Sequence, residues 1–132
     1  MSYTITHKPE LNTLIATFTQ PFAVARDATA ITKVLQQWLA DTDGEVFYIA
    51  DMRQVTISLQ ELTQGLTIAF RDPQSPYANP RLKTYTIGSD ILIRMGGKAA
   101  AQRDQYGQVN MEIYASLEEA LEKIQVRRAS AR

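Results

Sequence analysis

The chain contains no cysteine, which removes disulfide frameworks, thiolate ligands and thiol redox chemistry together. It has a single histidine, His7, so a Cys–His pair is excluded and any Ser–His pair would depend on that one residue. A dominant charge is lacking as well, because fourteen basic side chains balance fourteen acidic ones. Such neutrality favours neither a nucleic-acid backbone nor an anionic membrane surface, and no nucleic-acid partner is expected. No apolar run approaches the about 18 residues that span a bilayer, so no transmembrane segment is expected either. The start, "MSYTITHKPE", lacks a basic stretch followed by an apolar one, which predicts a cytoplasmic location. No catalytic or metal motif stands out, so the expectation is a non-enzyme with no cofactor and no metal.

A chain of 132 residues is most simply one domain, 1–132, large enough to bury about two thirds of its unfolded surface without a staple. "YTITHKPELNTLIATFTQPF" holds two β-rich runs separated by the turn formers Pro9 and Asn12, which predicts a hairpin of residues 3–7 and 12–19. Ile31, Val34, Leu35, Trp38 and Leu39 then recur at helical spacing, with Asp27 as the N-cap and Gly44 shortly beyond the end. Trp38 lies on that apolar stripe and is expected to pack against the sheet. "EVFYIAD" is an almost continuous apolar run, as expected of a central strand covered on both faces. From Leu59 the positions Leu62, Thr63, Leu66 and Phe70 repeat at helical spacing, giving a second helix to about Arg71.

"DPQSPYANPR" concentrates three prolines and predicts an exposed loop without regular structure. "LKTYTIGS" reads as a strand and "SDILIRMGGKAAAQRDQYG" as a helix from Ser89 or Asp90 to Gly107. Gly96 and Gly97 leave open an alternative in which "ILIRM" is a strand. "VNMEIYAS" is the last strand and "SLEEALEKIQVRR" the last helix, with Ser116 and Glu119 at capping-box spacing. The order β-β-α-β-α-β-α-β-α predicts an α/β fold: a single-domain, mixed, mainly parallel sheet of about five strands with four helices.

This order, with "VFYIADMRQVTI" in its middle and "MEIYASLEEALEKI" at its end, resembles the STAS fold of anti-sigma-factor antagonists and the looser SpoIIAA-like group. In that family a buried strand ends in Asp, an apolar-Thr-apolar step follows, and the next helix opens on a phosphorylatable serine in an Asp-Ser-Ser-Gly motif. Asp51 matches the strand end, Val55, Thr56 and Ile57 match the step, and Ser116 to Leu121 match the family's last helix start. The resemblance implies a regulatory or protein-interaction module whose partner is another protein or a second copy of itself. The alternative it implies is a carrier or sensor of a small apolar or anionic ligand. Where the family's serine motif would fall, this chain has "SLQELTQG", which puts regulation by phosphorylation in doubt.

Ser58 stands three residues before Glu61, directly ahead of an apolar-periodic stretch, and that spacing makes a helix cap the stronger reading and a phosphoswitch the weaker one. In open α/β sheets, contacts gather beyond the carboxyl ends of parallel strands. There the sequence offers a polar rim of Asp51, Arg53, Ser58, Ser89, Asp90 and Ser116, from which Asp51, Arg53, Gln54, Ser58 and Gln60 are expected to form the partner-binding surface. "RMGGK" lacks the spacing of a phosphate loop, and its glycines are better read as close packing or a kink. Asp51 with Asp90 has no third ligand at motif spacing and is better read as solvated loop than as an acid–base or metal pair. His7 is expected to be an exposed strand residue, and "RRAS", a basic-directed phosphorylation pattern, a frayed and solvated end.

Overall fold

The computed structural model describes residues 3–70, 75–88 and 111–130. Strands β1 (Tyr3–Lys8) and β2 (Thr13–Thr19) form the expected hairpin, with Tyr3 opposite Phe18 and Lys8 opposite Thr13. Its turn is a single 3-10 turn, Pro9–Leu11, closed by Asn12 at φ 53°, a left-handed conformation that asparagine tolerates better than most residues. Helix α1 (Val24–Asp41), β3 (Val46–Gln54), α2 (Leu59–Phe70), β4 (Leu82–Ile87), β5 (Met111–Tyr114) and α3 (Leu117–Ser130) follow. The five strands lie side by side in chain order, β1 antiparallel to β2 and each later neighbour parallel, so the sheet is mixed. Three α-helices stand among the described residues. The helix or strand expected between 89 and 107, together with Ser89, Asp90 and the Gly96–Gly97 pair, lies outside them.

The alternation of β3 explains why its sequence reads as one apolar run. Val46 and Tyr48 face a core with Leu14, Ala16 and Phe18 of β2 and Ile31, Leu35, Trp38 and Leu39 of α1. Phe47 and Ile49 face the opposite core with Ile15, Tyr85, Ile87 and, from α3, Ala120 and Ile124. Helices α1 and α2 pack together on the first side, where Gly65 comes close enough to Val24 that a Cβ built on it would lie 3.6 Å from Val24 Cγ1. α3 covers the second side, with Leu117 and Leu121 packed at its margin.

Four expectations are corrected here. Helix α1 begins at Val24, so Asp27 is not its N-cap. Ala23 occupies that position and has no side-chain acceptor, and the buried Asp27 carboxylate reaches back one turn to accept the Ala23 N–H at 2.9 Å. Strand β3 runs past Asp51 to Gln54, because Asp51 pairs with Thr17 on one side and Ile87 on the other. The proline-rich stretch is not wholly exposed loop: Ser75 caps a 3-10 turn, Pro76–Ala78, by accepting the Tyr77 N–H, and Tyr77 packs into the core. Its hydroxyl shares a hydrogen bond with that of Tyr48, and burial pushes both phenols well above their ordinary range. Finally, "RRAS" is the last turn of α3 rather than a frayed end, with Ser130 Oγ donating to the Val126 carbonyl at 3.0 Å.

The edge of the sheet opposite the carboxyl ends is held by side chains that no motif announces. Asn12 Nδ2 donates to the Glu45 carbonyl at 2.8 Å, and Arg81 donates to the carbonyls of Gly44 at 2.9 Å, Leu39 at 3.3 Å and Thr42. A cation over the last carbonyls of α1 satisfies acceptors that the helix itself leaves open. At the same edge Arg127 of α3 grips the Glu45 carboxylate with two bonds, at 2.9 and 2.8 Å. Those bonds hold the Glu45 carboxyl below its ordinary range, outweighing partial burial. A depressed carboxylate pKa adds stability above the unfolded value of about 4.3 and loses it as pH falls through the folded one. The pair is partly exposed, so the contribution is about 0.5 kcal/mol and salt-sensitive. Thermal scans from pH 7 down through the carboxylate range should show Glu45→Gln slightly less stable than wild type at pH 7 and level with it at the acid end.

Candidate interaction surface at the carboxyl edge of the sheet

Asp51 is 3% exposed, held inside the β2–β3–β4 ladder on the α3 face. Residues two apart in a strand share a face, so Arg53 lies directly beyond it. The guanidinium clasps the carboxylate with Nε to Oδ1 at 3.0 Å and Nη2 to Oδ2 at 2.7 Å, and the Arg53 backbone N–H also donates to Oδ1 at 3.2 Å. This is the two-pronged geometry in which an arginine matches a carboxylate best. The hydrogen bonds to Asp51 push the Arg53 guanidinium above its ordinary range against some burial, with the charges of Asp51 and of Glu118 adding to the effect. Glu118 stands in the first turn of α3, behind Ser116, whose Oγ accepts the Glu119 N–H at 3.2 Å. The rim is therefore built from two elements, the end of β3 and the start of α3.

The structure joins Asp51 and Arg53 and separates the other three expected residues from them. Met52 packs on the α1 side, and alternation places Gln54 on that same side, exposed, opposite Thr19 across an irregularity in the β2–β3 register. Ser58 and Gln60 are exposed at the start of α2. Among the described residues no hydrogen bond or ion pair links them to the Asp51–Arg53 pair.

Ser58 is a helix cap. Its Oγ accepts the Glu61 N–H at 3.1 Å while Glu61 Oε1 accepts the Ser58 N–H at 3.0 Å, the reciprocal capping box that the spacing predicts. The cap accounts for the serine at this position, since its hydroxyl accepts a helix N–H that would otherwise be open. Ser58→Ala should cost about 1 kcal/mol in urea unfolding, while Ser58→Asp, which still accepts at a helix start, should stay within a few tenths of wild type. Equal stability of all three proteins would remove the cap from the account.

His7 is exposed, as its sequence position predicts, but its ring meets the edge of Trp38 at 5.7 Å and 78°, a contact no local pattern announces. Among the described residues no cluster of three His, Asp or Glu could hold a metal ion, and no helix is long and apolar enough to cross a membrane. The fold and the rim together define an α/β domain with a paired carboxylate and arginine at the end of its central strand. No family model, curated protein or solved structure matches the chain.

Proposed function

We propose that the chain is a non-enzymatic, cytoplasmic regulatory or protein-interaction module of the STAS and SpoIIAA-like kind, working through the rim at the end of β3 and the start of α3. The observation that carries this reading is Arg53. Its side chain is 45% exposed, yet its direction is fixed by a carboxylate buried beneath it. A guanidinium has five N–H donors, and Asp51 takes two from the side chain, leaving three for a partner's carbonyls or carboxylates. An arginine oriented before contact loses little freedom on binding, which is the property that makes arginine a frequent anchor in protein interfaces. Gln54, on the other face of the end of β3, and Ser58 and Gln60, at the start of α2, are exposed and stand as a separate polar stretch that a partner would have to wrap the strand end to reach. Because the Ser58 hydroxyl is engaged in its cap beside Glu61, the contact is constitutive rather than released by phosphorylation at that serine.

The test is affinity capture of the tagged full chain followed by mass spectrometry, then titration of what co-purifies against wild type and Arg53→Lys. Lysine keeps a cation for Asp51 but has no fork. Binding of a protein weakened about tenfold, or about 1.4 kcal/mol, with the urea midpoint retained, supports the reading. A co-purifying small molecule bound equally by both proteins would move the assignment to a ligand carrier.

A further inference from the structure

From the hydrogen-bonding pattern of the sheet we infer that β1 is a self-pairing edge through which two copies of this chain join into one continuous sheet. β1 is the outermost strand, and Thr4, Ile5, Thr6 and His7 are all exposed, with the His7 ring resting against Trp38 on one face. The direction of its polar groups follows from β2. The Phe47 N–H donates to the Asn12 carbonyl and Thr13 is the residue paired with Phe47, so Asn12 and Leu14 bond toward β3. Successive strand residues direct their polar groups to opposite sides, which leaves Thr13, Ile15 and Thr17 bonding toward β1, onto Lys8, Thr6 and Thr4. The N–H and C=O groups of Tyr3, Ile5 and His7 therefore point away from the sheet, and among the described residues no backbone group meets them.

Those outward groups select one register. An antiparallel copy forms its paired bonds between residues whose groups both face the seam. Placing Ile5 on the two-fold sets Ile5 against Ile5 and Tyr3 against His7 in both directions, roughly six hydrogen bonds in all. Thr4 then faces Thr6 across the seam, a favourable cross-strand pair. Ile5, one of two large apolar residues left exposed among the described residues, at 37% and 59%, meets its own copy. Charge does not oppose a second copy as the occupant: the overlapping stretch "YTITH" holds no acid and no lysine or arginine, and the net charge of the chain is zero, so two copies approach without repulsion, and the symmetric register is what makes the edge its own partner. Lys8 falls beyond the overlap. Within residues 3–7 no proline or charged side chain blunts the edge, and Lys8 at the end of the strand and Pro9 after it limit the exposed edge to that stretch.

Sedimentation equilibrium of the full chain tests this directly. The expected mass is twice 14.8 kDa at about 10–100 µM. Ile5→Lys sets two ammonium groups against each other at the two-fold, and Ile5→Pro removes only an outward N–H while leaving the β1–β2 ladder intact. Both variants should sediment as single chains with wild-type circular dichroism. Ile5→Cys should oxidise to a linked dimer, because hydrogen-bonded antiparallel partners stand with Cα atoms about 5.5 Å apart, within reach of a disulfide. A wild-type chain that stays single at about 100 µM, or a folded Ile5→Lys or Ile5→Pro that stays paired, overturns the inference.

Discussion

Trp38→Ala should lower the stability of this domain by about 3–5 kcal/mol, the loss usual for truncating a large buried aromatic. The side chain is 7% exposed, on the stripe with Ile31 and Leu35 that packs against Leu14, Phe18 and Tyr48. Small domains hold only about 5–15 kcal/mol in total, so the variant sits near the limit of folding. Trp38→Phe provides the contrast. The indole Nε1 is buried with no hydrogen-bond partner among the described residues, so its removal takes away an unsatisfied donor along with some packing. The expected loss is about 1 kcal/mol, measurable from the urea midpoint. A Trp38→Ala protein with an unchanged midpoint would mean that α1 presents its other face to the sheet.

Arg53→Met should cost about 3 kcal/mol, because among the described residues it leaves the buried Asp51 carboxylate with a single backbone N–H. The exposure of the guanidinium keeps the effect at the low end of the range for buried pairs. Removing both charges at once, as Asp51→Val with Arg53→Met, should recover most of that loss, since no unpaired charge remains. The four proteins form a cycle, and the coupling between the two positions should exceed about 1.5 kcal/mol. A single-variant loss below about 0.5 kcal/mol would class the pair with ordinary surface salt bridges.

The sheet was legible where composition and periodicity agree. The "YTITH" and "TLIATFT" runs, the stripe from Ile31 to Leu39 and the apolar "VFYIA" each fold as their spacing predicts, because burial on one or both faces dictates those patterns. Both serine caps were legible too, as capping-box spacing is local chemistry. The start of α1 was not, since Asp27 acts from inside the first turn where an N-cap would stand in front of it. Nor was the core position of Tyr77: the prolines around it signal a break in regular structure but not whether the break faces water. Asp51 read as the end of a strand because polarity returns there, yet the ladder continues to Gln54, with Arg53 neutralising the buried carboxylate from two residues away. The Asp-x-Arg spacing was the available signal for that pair. Contacts distant in sequence, such as Arg81 on the end of α1, Arg127 on Glu45 and His7 on Trp38, left no local trace.

The working surface itself is tested most directly by NMR titration of the 15N-labelled chain with the partner that co-purifies. Amide shifts centred on residues 51 to 61 and the first turn of α3, reduced by Arg53→Lys at unchanged stability, are the result expected. Shifts confined to the Lys8–Asn12 turn and the Thr42–Glu45 loop, where Asn12, Arg81 and Arg127 hold the opposite edge, would contradict it.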